Sequence, residues 1–144
     1  MSRAVVPIRI DKTWVLVDAE VVREFTASAP WLSVPGSTPL MPGVMTWRGR
    51  AIPVIDLLRA LELGALGPAT PRPRVMIVQH PAGLVAVPVD AAREVTNVLS
   101  EEVRPQHVTK TPYSLGEVEL SQKVLPMVDL DAILRTVNAS GGSA

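Results

Sequence analysis

Arg50–Leu61 reads RAIPVIDLLRAL, and Lys123–Leu134 reads KVLPMVDLDAIL. Each is a basic residue, two apolar residues, a proline, two apolar residues, Asp, Leu, and a helix-like tail. Arg50 and Lys123, Pro53 and Pro126, Asp56 and Asp129, and Leu57 and Leu130 all keep one constant offset. Two more segments share the core of this pattern: WVLVDAEVVREF from Trp14 and LVAVPVDAAREV from Leu84. Each is an apolar run that ends in an aspartate, Asp18 or Asp90, and enters a short helical pattern. Those two aspartates stand at nearly the same offset as the first set. The simplest reading is one duplicated unit, with a first half of about 1–70 and a second of about 71–137. Neither half buries much core alone, so the halves pack on each other and leave a seam.

The local patterns are mostly β. Val75–Val78 and Leu84–Val87 are aliphatic arms around the turn His80-Pro81-Ala82-Gly83, which reads as a hairpin. Val44–Trp47 and Arg50–Ile52 around Arg48-Gly49 read as another, with Gly49 supplying the positive φ of a tight turn. Pro53, Pro88 and Pro126 interrupt strand-like runs; lacking an N–H, they predict edge strands or bulges. Short helices are expected over Ile55–Leu63 and Leu130–Val137, with Gly64 and Asn138 as stops and one more turn at Glu20–Glu24. Ala29–Gly43 and Gly64–Arg74 are loops by composition, and 138–144 reads as a disordered tail. Small, bulged sheets suit compact barrels.

Composition narrows the function. Formal net charge is zero, which disfavours a nucleic-acid binder and a polybasic membrane anchor. No cysteine is present, so there is no disulfide framework, thiol nucleophile or thiolate metal site. The start, MSRAVVPIRID, lacks a signal-peptide core, and the longest apolar run, Leu84–Val89, is too short for a bilayer. The cytoplasm is the expected compartment. No phosphate loop or nucleophile elbow appears, and Asp18, Asp56, Asp90 and Asp129 each precede a helical start, where a carboxylate caps free N–H groups. His80 and His107 sit in turn-like, surface contexts. The expectation is no catalysis, no metal and no cofactor. What remains is surface: Trp47, Arg48 and Arg50 cluster at a hairpin tip and are residue types enriched at binding hot spots. Val22 and Val95, beside the pairs Arg23-Glu24 and Arg93-Glu94, read as core valines from their surroundings alone.

These segments together resemble the CheW-like domain. MPGVMTWRGRAIPVIDLLRAL, Met41–Leu61, looks like its central Gly-Val, strand, Arg-Gly and Pro-Val-Ile-Asp-Leu run. VLVDAEVVREF, LVAVPVDAAREVTNVLSEEVRP and KVLPMVDLDAIL are similar to its other segments, in the right order over roughly residues 5–137. The first strand, Val5–Ile10, departs from the pattern in holding Pro7 and no aromatic, and 105–122 is short.

The resemblance implies two small, SH3-like, five-stranded β-barrels on a hydrophobic seam, with a few short helices, in one domain over 1–137. It implies a non-catalytic adaptor that stands alone and links chemoreceptor cytoplasmic tips to the regulatory domain of a CheA-type histidine kinase. Such an adaptor is cytoplasmic and recruited to receptor arrays. The receptor's helical hairpin docks between the barrels, and barrel ends meet the kinase. Carried over by motif, the partner-binding positions are Val22, Glu24, Gly43, Arg48 and Val95. Two other readings stand beside it: a CheW-like protein that binds the receptor only and modulates clustering, and a small β-barrel hydrolase built around Asp56 and Asp129.

Overall fold

A computed structural model describes residues 1–27, 29–66, 72–81, 83–105 and 112–141. In chain order the strands are β1 (Ser2–Ile10), β2 (Thr13–Asp18), β3 (Val22–Ala27), β4 (Trp31–Leu32), β5 (Gly43–Trp47) and β6 (Arg50–Val54). Helix α1 (Leu57–Ala60) follows, then β7 (Arg74–His80), β8 (Gly83–Val89), β9 (Ala91–Ala92) and β10 (Thr96–Leu99). The chain ends in β11 (Ser114–Leu120), β12 (Lys123–Val128) and α2 (Leu130–Gly141).

Two sheets form. The first is ordered β10-β1-β2-β12-β11, with β9 also on β1; the second is β3-β7-β8-β6-β5-β4. The orders correspond strand for strand: β10 with β3, β1 with β7, β2 with β8, β12 with β6 and β11 with β5. The registers correspond as well. Gly43 opposite Val54 and Trp47 opposite Arg50 recur one repeat later as Gly116 opposite Met127 and Leu120 opposite Lys123. Glu24 opposite Ile77 recurs as Asn97 opposite Ala4. Each sheet is closed by the segment after its first edge strand. Leu32 pairs with Val44 in one, and Arg104 exchanges backbone hydrogen bonds with Glu117 in the other.

The repeat is real, but its halves do not each build a sheet. The hairpin β1–β2 completes β10, β11 and β12 of the second half, and β7–β8 completes β3, β5 and β6 of the first. The chain leaves the first sheet at Asp18, after β2, and re-enters it at Asp90, after β8. Exchange explains why both hairpins are apolar on both faces. On β1, Val6, Ile8 and Ile10 join the main core with Val15 and Val17 of β2, while Val5 and Leu16 face the interior of their own sheet. The main core also takes Val75–Val78 of β7, Leu57 and Leu58 of α1, and Ile133, Leu134 and Val137 of α2. This is the seam. Each such side chain contributes about 1.5–3 kcal/mol when fully buried.

Several expected details change. Pro53, Pro88 and Pro126 lie on β6, β8 and β12, and each of these strands has a neighbour on both sides. The prolines fit because β6–β8 and β12–β2 are short parallel contacts, registered at Val54–Ala86 and Met127–Leu16. Pro53 and Pro126 sit one position before those points, where no N–H is needed. Pro7 does not break β1, which runs nine residues. Helix α1 is a single turn, ended by Glu62 at φ 57°, and the segment after Glu20 turns into β3. Asn138 does not stop α2, which continues to Gly141 and takes up most of the expected tail; residues 142–144 lie outside the described residues. His80 is buried, not superficial: its Nε2 is 2.9 Å from Oδ1 of Asp131 in α2. His107 lies outside the described residues.

Three of the four aspartates cap as expected. Asp18 accepts from the Glu20 N–H, Asp56 from Arg59 and Leu66, and Asp129 from Ala132. Asp90 does something else. Its Oδ2 accepts the Asp11 backbone N–H and lies 2.9 Å from Arg72, which also pairs with the Asp11 carboxylate. Burial opposes the Arg72 charge, but Asp11 and Asp90 more than offset it and raise its pKa. This cluster ties the β1–β2 turn to the point where β8 leaves its sheet.

Two glycines sit where a strand crosses close above. A Cβ on Gly43 would lie 2.2 Å from the Leu32 carbonyl oxygen, and one on Gly116, at φ 136°, 2.5 Å from that of Arg104. We predict that Gly43→Ala and Gly116→Ala each lower unfolding free energy by about 1–3 kcal/mol in urea titrations. Unchanged midpoints would mean that the crossings are looser than described. The hydrogen bond to His80, with Arg135 nearby, holds the Asp131 carboxyl below its usual range. A depressed carboxyl adds stability above its unfolded pKa of about 3.9, lost as pH falls through the lower folded value. Asp131→Asn should therefore lower the urea midpoint at neutral pH, and the difference from wild type should vanish in strong acid.

Candidate functional site

The turn joining β5 to β6 has two residues, Arg48 at φ 49° and Gly49 at φ 75°. Positive φ at both central positions is what a tight hairpin turn following the strand twist requires. Arg48 thereby stands out from the sheet. Its guanidinium lies 4.7 Å from the centre of the Trp47 ring, and its Nη2 is 2.8 Å from Oε1 of Glu24 on β3. The Arg48 side chain is 64% exposed and that of Glu24 29%. β3 carries a bulge between Val22 and Glu24, where its register on β7 shifts from Val78 to Ile77. Bulges re-aim side chains, and this one lies between the two residues of interest. Val22 is partly buried against the main core. The outcome is a platform of Trp47, Arg48 and Glu24 with Val22 nearby in sequence.

The five expected positions are therefore not equivalent. Glu24 and Arg48 meet directly. Gly43 is buried under Leu32 and Trp31, so any effect it has on a partner passes through the packing of β4. Val95 is no core valine: it is 59% exposed and precedes β10, on the other sheet from Arg48. Asp56 and Asp129 cap different helices that follow different sheets, with their oxygens on backbone N–H groups, and so do not converge. Among the described residues, no group of three or more His, Cys, Asp or Glu is placed to hold a metal ion. No helix among them is long and apolar enough to cross a membrane.

Sequence reasoning missed a second arginine–tryptophan pair. Arg93 lies 4.7 Å over the ring of Trp14, on the first sheet. Their wide separation along the chain hides the contact, and only the exchange of β1–β2 brings them together. The Arg72 cluster was missed for the same reason. Gly116, by contrast, was within reach, since it follows Gly43 at the offset that relates Asp56 to Asp129.

An exposed ion pair adds little stability, about 0–1 kcal/mol. Arg48→Ala and Glu24→Ala should accordingly leave the thermal midpoint nearly unchanged. A large drop in either would make the pair a structural tie and not a recognition feature.

Residues 4–138 match the CheW-like domain. Among similar proteins is the probable chemotaxis protein CheW of Rhizobium etli, 27% identical over 138 residues, covering 92% of this chain and 87% of that protein. The chemotaxis protein CheW of Rhizobium meliloti is 22% identical over 136 residues, with the same coverage. The scaffolding protein TtCheW of Thermoanaerobacter tengcongensis has a similar crystal structure, with a TM-score of 0.74 and 23% identity over 90% of this chain and 86% of that one.

Proposed function

The chain belongs to the CheW-like domain family, and on that premise we propose that it is a non-catalytic adaptor in chemotaxis-like signalling. It couples the cytoplasmic tips of chemoreceptors to a CheA-type histidine kinase and is recruited to receptor arrays from the cytoplasm. The observation that carries the site is the Trp47–Arg48–Glu24 platform: Trp47 and Arg48 lie in the segment that resembles the family's central motif, and Glu24 in the segment that resembles an earlier one. Arg48 is exposed and held on two sides, and its ion pair is of little value to stability, so its geometry is free to serve a partner. A receptor helix lays apolar positions along the seam beside Val22, while Arg48 offers an orienting charge. Arginine already engaged by a carboxylate and a ring loses little freedom on binding. Val95 supplies an apolar contact on the first sheet, and Gly43 keeps β4 in place beside the platform.

Binding of the purified protein to a receptor cytoplasmic fragment and to the kinase's regulatory domain tests this. The wild type should bind both. Val22→Arg and Arg48→Glu should weaken receptor binding about tenfold or more, in keeping with loss of a hot-spot contact, with both variants shown to be folded by circular dichroism. Receptor binding without kinase binding would replace the coupling role with a receptor-only one. Receptor binding indifferent to both substitutions would remove the platform from the proposal.

A further inference from the structure

The barrel built from β10, β1, β2, β12 and β11 has a small interior. Val5, Leu16, Val98, Val118 and Met127 fill it, each no more than 1% exposed. Side chains alternate along a strand, so the next residue on the same face lies two positions away. Two beyond Val5 is Pro7, two before Leu16 is Trp14, and two before Val98 is Thr96. Two beyond Val118 is Leu120, and two before Met127 is Leu125. All five line one cleft of about 610 Å³. The cleft is thus the open mouth of this barrel, and the buried cluster is its floor.

The matching position in the other barrel is larger. Trp47, the repeat counterpart of Leu120, packs partly buried on the main core. The backbone does not make the difference: Ser121, the counterpart of Arg48, has φ 50° against 49°. The turn is the same in both copies, and Leu120 and Ser121 stand with less bulk where the other copy has Trp47 and Arg48. At the rim of the cleft stand Arg93, stacked on Trp14, and Lys123, with Glu94 the one carboxylate among the described lining residues.

We propose that this mouth binds a small amphipathic organic anion, its apolar body against Trp14, Leu120 and Leu125 and its acid group toward Arg93 and Lys123. The volume falls within the range of small-ligand sites, about 300–1,000 Å³, and barrel mouths are one place such sites occur. A blind floor suits one compact molecule better than a chain running through. Glu117 of β11 already exchanges backbone hydrogen bonds with Arg104, so that edge does not invite an added strand. Excess positive charge at the rim sets the sign of the ligand. Glu94 and Thr96, the chain neighbours of Val95, line the cleft, so it borders the proposed partner surface at a barrel end; ligand binding there does not itself depend on the adaptor reading.

The test is a fluorescence titration of the full chain with anilinonaphthalene sulfonate, with dodecanoate and dodecyltrimethylammonium as competitors. One saturable site is expected, with dodecanoate displacing the dye about tenfold better than its cationic twin. Leu120→Trp, which fills the mouth as Trp47 does in the other barrel, should weaken dye binding about tenfold or more, as should Lys123→Glu on the exposed turn. Arg48→Ala should leave it unchanged. If Leu120→Trp fails to fold by circular dichroism, Lys123→Glu decides. Absence of saturable binding, equal displacement by anion and cation, or loss of the site in Arg48→Ala overturns the proposal. So does a result in which Leu120→Trp abolishes binding of the receptor fragment while neither anion binds, for the mouth is then a protein contact.

Discussion

The structure depends on one constraint: the hairpin β1–β2 is apolar on both faces and must be covered on both. Its own sheet covers one face, through Val5 and Leu16, and the other sheet covers the second, through Val6, Ile8, Val15 and Val17. A hairpin so placed cannot be lifted away without uncovering the seam and opening a barrel together. Its counterpart β7–β8 is held likewise. Two small barrels that would each be marginal alone are thus made one cooperative body, with the chain crossing between them at Asp18 and Asp90. The Asp11–Arg72–Asp90 cluster fastens the second crossing to the β1–β2 turn.

The same duplication sets out the surfaces. Equal turns at Arg48 and Ser121 present different side chains on equal backbones. One barrel raises a charged, aromatic platform whose exposed ion pair its fold hardly needs. The other leaves an open, cationic mouth. Two copies of a unit locked together are free to diverge where they face solvent, because only the seam and the barrel interiors must stay apolar.

Much of this was legible in the chain. The constant offset between the two copies predicted two related halves and the seam between them, and the Arg48-Gly49 and Pro81–Gly83 turns marked hairpins that are present as β5–β6 and β7–β8. The capping aspartates Asp18, Asp56 and Asp129 read correctly, since a cap is a local interaction decided within a single turn of chain. Asp90 misled because its partners, Asp11 and Arg72, are remote in sequence. Pro53 and Pro126 misled because an interior strand tolerates proline when its second neighbour pairs only at the next position. Of the candidate site, the Arg48 turn and its tryptophan were readable. The contact with Glu24 and the exposure of Val95 were not, for both depend on which strands lie side by side.

By itself, the sequence determined the period, the turns, the apolar faces and the helix starts. All of these follow from backbone sterics and from the spacing of side chains on one element. Only the tertiary structure decided that the halves trade hairpins, because a repeat pattern is satisfied equally by pairing each hairpin within its half or across to the other. What tips the choice is burial over long range: strands apolar on both faces need two covers, and crossing between sheets supplies them.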